Sequence, residues 1–450
     1  MQRHLCRKFN NNTLKKAALL FLLVVTVKSW SQDVATDSLK QTISIDSLKS
    51  AIDDHTMRFG ALDERLSGIE SDLAKLTRIK ISGYMQAQYD MYDYQDDNGP
   101  VAGSSTTAPV TNSFYLRRAR IKFTYEAADG VKFVLQPEYA FDKVSVKDAY
   151  VVLNDRWTQT FALYVGQFNK PTYEVEYSSS SREFMERSLV TRTLYPNERD
   201  LGAQLEANFD TRFHFPLKLQ LAVINGNFGL GSTSNQVRDI DSNKDVMVRA
   251  VYSVKLPKQG LGIDFGGHGY FGSTKVLSQT DPVTVFTDVN NNPFSPEVGA
   301  TLPKHWFGGE MQLYYDLLGG IALKSEYIAG TLSATTNPVQ VNPLFKFDRV
   351  RNFAGYYVSL IKNIGQSHQA SVRYDAFDPN TKLGRNEAGM TAGDLAYHTW
   401  TFGWQYFFDE NVKIVLGYTL PTNERSAVVG GDFAKDKRDN TFTIRLQAKF

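Results

Sequence analysis

The feature that most constrains this chain is a change of hydrophobic period near Ile79, after which a period of two runs to the last residue. In "IKISGYMQAQYDMY", Ile79, Ile81, Met85, Ala87, Tyr89 and Met91 share one face, while Lys80, Ser82, Gln86, Gln88 and Asp90 take the other. Such alternation marks strands with one apolar face. It predicts sixteen of them, at 79–92, 114–126, 131–141, 146–154, 160–168, 201–209, 215–226, 244–254, 261–271, 304–315, 320–331, 351–363, 367–376, 396–408, 412–420 and 439–450. The connections alternate in length. "AADG", "DRWTQ", "DTRFH", "LPKQG", "DLLG", "IGQ" and "DEN" are tight, whereas 93–113, 169–200, 227–243, 272–303, 332–350, 377–395 and 421–438 are long. Only 142–145 is short where a long one is due. A soluble sandwich or propeller has no reason to place its long loops on every second connection. A barrel crossing a bilayer does, with turns on one side and loops on the other.

Strands of about ten residues match a tilted span of the hydrocarbon layer, and closure leaves no unpaired edge in lipid. The 23 Tyr and 29 Phe gather at strand ends, as in "WQYFF", the pattern of aromatic girdles. The expected fold class is therefore all-β: a sixteen-stranded antiparallel transmembrane β-barrel preceded by a short α-helical coiled coil. The final strand is built the same way. Phe442, Ile444, Leu446, Ala448 and Phe450 share one face, and Thr441, Thr443, Arg445, Gln447 and Lys449 the other. A terminal Phe450 on such a strand is similar to the signal read by outer-membrane assembly machinery, an expected partner.

Residues 1–31 have a basic start, the apolar run "AALLFLLVVTV" and small Ser29 and Ser31 before Gln32, which read as a secretory signal peptide. They carry six Lys or Arg and no acid, so a formal net charge of +2 becomes −4 on cleavage. The only cysteine, Cys6, leaves with them, so no disulfide holds the mature chain. An acidic, exported chain excludes nucleic acid as a partner. Residues 32–78 carry five heptads. Ile45, Ile52, Phe59, Leu66 and Leu73 occupy one seam position, and Leu48, His55, Leu62, Ile69 and Leu76 the other. A strict seven-residue repeat held this long reads as a periplasmic coiled coil for oligomerisation, leaving 79–450 for the barrel.

The stretch "FYLRRARIKF" (114–123) places Ala119, Ile121, Phe123 and, beyond it, Tyr125 toward lipid. Arg118, Arg120 and Lys122 then face the lumen, because a cation at mid-membrane on the lipid side costs about 2–4 kcal/mol. Inside a pore they are an expected anion-binding ladder, three cations without an interleaved acid. Arg117 falls on the opposite face, near the loop end where that cost fades. Lys147 likewise falls on the lipid face, with Ala149, Val151 and Leu153. Arg249, Lys324, Arg373 and Arg445 face inward and are expected to pair with neighbouring acids such as Glu326 and Asp375.

"FYLRRARIKF", "LQPEYAFDKVSVKDAYV" and "YVGQFNKPTYEVEYSSSSREFMERSLVTRTLYPNERDLGAQL" closely resemble the phosphate-selective porin O and P family. Within them, "GQF.KP", "FMERS" and "R.LG" in that order are specific. The resemblance implies an outer-membrane, Gram-negative-type homotrimer passing small anions such as phosphate. It also implies a third loop, 169–200, folded into the lumen as a constriction. That loop offers Arg182, Arg187, Arg192 and Arg199 but also Glu174, Glu176, Glu183 and Glu186, so a moderate anion preference is expected. The alternatives are a general diffusion porin with little selectivity, or a structural barrel anchored through its coiled coil. The seven His are scattered, with no HExxH and no GxSxG, and no motif identifies a catalytic group, a metal site or a cofactor.

Overall fold

The computed structural model describes residues 65, 78–94, 111–140, 143–196, 198–226, 239, 242–276, 286–334 and 349–450. The predicted signal peptide 1–31 and coiled coil 32–78 lie outside the described residues, save for Arg65 and Arg78. Sixteen long strands form the wall. The first half comprises β1 (Ile79–Tyr94), β2 (Asn112–Ala128), β3 (Val131–Ala140), β4 (Lys143–Asn154), β5 (Phe161–Asn169), β6 (Arg199–Asn208), β7 (Leu217–Ile224) and β8 (Asp245–Leu256). The second half comprises β9 (Leu261–Lys275), β10 (Thr301–Tyr315), β11 (Ile321–Ala334), β12 (Arg349–Ile364), β13 (His368–Asp378), β14 (Tyr397–Phe407), β15 (Val412–Asn423) and β16 (Asp439–Lys449). Each strand pairs antiparallel with the next, and β1 pairs with both β2 and β16, which closes the barrel. At this seam the Phe450 amide donates to the Gly83 carbonyl at 2.9 Å, and the Gly83 amide returns the bond at 3.0 Å.

Polarity follows the predicted alternation, inverted relative to a soluble protein. On β7, Leu219, Leu221 and Val223 are exposed and Gln220 is buried, although the inward Ala222 and Ile224 are apolar. On β16, Ile444 and Leu446 are exposed while Thr443, Arg445 and Gln447 point into the barrel. Aromatic rings form belts on the outside. Phe215, Tyr252 and Phe265, then Trp404, Tyr406 and Phe408, lie toward the turn end. Tyr356, Tyr374 and Trp400 lie nearer the loop end.

Two β-bulges break the period within the wall, and a third register shift, between Glu126 and Ala128, falls at the turn end of β2. Opposite Gln86 and Ala87 on β1, the partners step from Arg118 to Leu116, leaving Arg117 as an extra residue on β2. Opposite Gln136 and Pro137 on β3, they step from Asp148 to Val146, leaving Lys147 extra on β4. Pro137 has no amide to give to a ladder, so an interrupted register suits it. Gln167 of β5 donates to the carbonyls of Val146 and Lys147, both at 2.7 Å, and so satisfies acceptors beside the second bulge.

The connection between β5 and β6 turns into the barrel. It carries two short helices, α1 (Tyr173–Glu176) and α2 (Leu189–Leu194). Ser188 caps α2, accepting from the Thr191 amide, and is itself held by Glu174. The apolar side of this segment, Val175, Val190, Leu194 and Tyr195, joins a buried cluster with Met247, Tyr270, Trp306, Ile328, Phe353 and Tyr357 on the β8–β12 wall. Trp306 stacks on Tyr270 at 4.0 Å and 14°, and its indole donates to the Tyr195 hydroxyl at 2.8 Å. An apolar stretch of inner wall was not expected from a period that placed polar residues inside.

Candidate functional site

The predicted ladder sits where the inward segment meets β1, β2 and β16. Arg118 and Arg120 point inward and are buried, 4% and 5% exposed. Lys122 is half-buried and has no acid partner among the described residues. It lines a cavity of about 310 Å³ with Arg120, Arg187, Glu198, Arg199 and Lys449.

The ladder is not free of acids, contrary to expectation. Arg120 Nε donates to Glu138 Oε1 of β3 at 2.7 Å, and Arg118 Nη2 lies 3.6 Å from Glu186 Oε2 of the inward segment. Local sequence hid both partners, because Glu138 and Glu186 reach the ladder only through strand pairing and loop folding.

Arg117 and Lys147, both assigned outward by strict alternation, are corrected by the bulges. An extra residue in a strand restarts the alternation, so adjacent residues turn to one side. Arg117 Nε donates to Glu186 Oε1 at 2.9 Å and its Nη2 to Oε2 at 3.1 Å, alongside Arg118. Lys147 Nζ lies 2.8 Å from Glu138 Oε2. Both cations escape lipid by this route.

The arginines of the inward segment separate into two groups. Arg182 (3.6 Å), Arg187 and Arg199 share the carboxylate of Glu198. Arg199 proves to be the first residue of β6, where it also pairs with Asp148 at 2.8 Å. Arg187 is fixed further by donating to the carbonyls of Glu174 (2.6 Å) and Val175 (2.9 Å). Arg192 stands apart on α2, with Glu186, Asp375 and Arg373 as its charged neighbours.

Arg445 of β16 completes the Glu186 cluster, at 3.4 Å. Burial alone would raise the Glu186 carboxyl, but Arg117, Arg118 and Arg445 hold it well below the usual carboxylate range. The other inward cations also pair with acids, Asp375 among them as expected, but Glu326 partners none of them, and several partners come from the segment instead. Arg373 pairs with Asp375 (3.2 Å) and Glu174 (3.5 Å), and Lys324 with Glu183 (2.7 Å). Arg249 bridges Glu310 and Glu176, both at 2.7 Å.

Backbone carbonyls of the segment are tied to the wall on several sides. Gln447 donates to Ser180 (2.8 Å), Lys413 to Arg182 (3.2 Å) and Gln405 to Glu183 (2.8 Å). Arg445 donates to Met185 and Arg373 to Glu186, each at 2.9 Å. The segment is thus sewn to β13–β16 by polar bonds and packed onto β8–β12 by apolar contact. Along β1, β2 and β16 its Glu186 meets the wall cations Arg117, Arg118 and Arg445.

Residues 83–271 match the family model of phosphate-selective porin O and P, so the resemblance read from the motifs is borne out over that stretch. No curated protein sequence matches the chain. Among solved structures, the chain is similar to OprB of Pseudomonas putida, with a TM-score of 0.57 and 9% identity over 86% of this chain and 97% of that one. It is similar to the outer membrane channel DcaP of Acinetobacter baumannii, with a TM-score of 0.51 and 10% identity over 83% and 97%. An anion-selective porin from Comamonas acidovorans gives a TM-score of 0.50 and 11% identity over 83% and 99%. At these identities the likeness shows a shared barrel fold.

Proposed function

We propose that this protein is an outer-membrane porin, a passive channel rather than an enzyme, with a moderate preference for small anions such as phosphate. The observation that carries the preference is the ratio of cations to acids on one side of the lumen. Arg117, Arg118 and Arg445 share Glu186; Arg182, Arg187 and Arg199 share Glu198; Arg120 and Lys147 share Glu138. Glu186 is outnumbered three to one and Glu138 two to one, Glu198 and Asp148 together face three arginines, and Lys122 adds a charge with no acid partner among the described residues. Shared acids fix the guanidinium groups in place without cancelling their charge.

A low-dielectric wall focuses the remaining field into the lumen. Same-face residues lie about 6.6–7 Å apart along a strand, so an anion can pass from Arg118 to Arg120 to Lys122 while held weakly enough to leave. Arginine offers phosphate paired hydrogen bonds as well as charge. In this reading the inward segment 170–198 is the constriction, the turns face the periplasm, and three chains assemble through the 32–78 coiled coil.

The test is the reversal potential across a salt gradient, for the native channel and for Arg118→Ala with Arg120→Ala. A unit charge about 5 Å away through water is worth about 0.8 kcal/mol, roughly fourfold in relative permeability. The double variant should lose anion preference by at least that factor. A cation-preferring native channel, or an unchanged double variant, would reduce the ladder to wall structure.

A further inference from the structure

We propose that His268, Glu310 and Glu326 form a binding site for one divalent transition-metal ion of the zinc class, set in the inner wall on the side opposite the ladder. His268 lies on β9, Glu310 on β10 and Glu326 on β11, all facing inward and all buried. Their ligand atoms lie within 4.8 Å of one another, and His268 Nδ1 is 3.6 Å from Glu326 Oε1.

Three observations point to a cation here. Glu310 and Glu326 stand directly opposite each other across the β10–β11 pair; like charges so placed repel and need something between them. The second is that both ring nitrogens of His268, and Oε1 of Glu326, have no hydrogen-bond partner among the described residues. These side chains are 0% and 1% exposed, a costly state for polar groups unless a ligand completes them. The third is shape: a Cβ on Gly308, the cross-strand partner of His268, would lie 2.2 Å from the imidazole. Only glycine leaves room for the ring there.

Charge and donor chemistry agree. Glu176, Glu310 and Glu326 gather around the guanidinium of Arg249, and Lys218 is shared by Glu206 at 3.0 Å and Glu176 at 4.0 Å, so four acids face two cations. Two negative charges are left, which one divalent ion matches. An imidazole with two carboxylates suits zinc, iron(II) or manganese(II).

Zinc bonds of about 2.0–2.2 Å place neighbouring donors about 3.3–3.5 Å apart in a tetrahedral shell. His268 and Glu326 are already close to that spacing, and a side-chain rotation at Glu310 would supply the third donor. Arg249 engages both Glu310 oxygens, at 3.0 and 2.7 Å, but each retains a second lone pair. Toward the turn end a cavity of about 510 Å³ begins one same-face residue from Glu326, lined by Lys324 with Tyr177, Glu183 and Tyr314.

The experiment uses the full chain, folded in detergent, stripped with a chelator and titrated with zinc or cobalt(II). One equivalent of zinc should bind per chain, and cobalt(II) should give the visible absorption bands of a low-coordinate nitrogen–oxygen site. His268→Ala and Glu326→Gln should each weaken zinc binding by more than the roughly 10–100-fold that outer-shell changes cost. His398→Ala, on the outer face of β14, should leave binding intact. Heat-modifiable gel mobility reports whether each variant has closed its barrel, and the native cobalt spectrum decides the matter without any variant. Absence of cobalt bands, or zinc binding equal in native protein and His268→Ala, would overturn the site. Either result leaves the porin reading untouched, since that rests on the opposite side of the lumen.

Discussion

Glu186 is a single carboxylate serving three guanidinium groups, from Arg117, Arg118 and Arg445. Replacing it with Gln removes one negative charge from beside the proposed anion path. Glu186→Gln should therefore raise anion preference by roughly fourfold, read as a shifted reversal potential. Because its pKa lies below the ordinary carboxylate value, its stabilising contribution is present above the unfolded pKa of about 4.3 and is lost only as pH falls through the lower folded value. Selectivity should stay flat between about pH 7 and pH 5; a titration step in that window would mean another carboxyl governs the path. The inward direction of Arg118 and Arg120 was legible because period two applies on their side of the bulge. That of Arg117 and Lys147 was not, since a bulge leaves no mark in local polarity. Neither was the pairing of Arg117 with Glu186, 69 residues away, or of Arg120 with Glu138, 18 away. Such partners depend on register and loop path, which composition does not encode.

At the scale of elements, the motifs that carried the resemblance are the parts that turn the segment inward. Gly166 has φ +130°, and a Cβ there would lie 2.3 Å from the Ala149 carbonyl and 2.8 Å from Tyr150 Cα. Gln167 satisfies the bulge beside it, Phe168 is buried, and the fully buried Lys170 pairs with Asp200 at 3.3 Å. In "FMERS", the arginine and serine lock α1 to α2, while Met185 fills the space over Gly417, where a Cβ would meet it at 2.8 Å. Gly166→Ala should cost more than the roughly 0.4–1 kcal/mol that a compatible Gly→Ala change gains, and should lower the yield of folded barrel on a heat-modifiability gel. Trp306→Ala removes the stacked partner of Tyr270 and the donor to Tyr195, and should lower resistance to denaturant by about 3–5 kcal/mol. The sixteen strands were legible because each needs only its own alternation. The apolar inner wall was not, because an inward Trp306 or Tyr270 reads from sequence like any other strand aromatic.

At the scale of the whole molecule, the expected topology has a direct check. Protease added to intact cells should cut only within the long connections between strands, and cleavage in the turns "AADG" or "DTRFH" would reverse the orientation. Crosslinking the 32–78 segment should give trimers, and a stable monomer would sink the proposed assembly. The way the inward segment is fastened has a consequence for time-dependent behaviour. A flap hinged at one edge can swing aside and shut again, producing stepwise flicker in a recorded current. Here polar bonds fasten one flank and a buried aromatic cluster the other, so movement would require both to release together. The channel should behave as a fixed orifice whose recordings are quiet, holding one conductance level under moderate voltage.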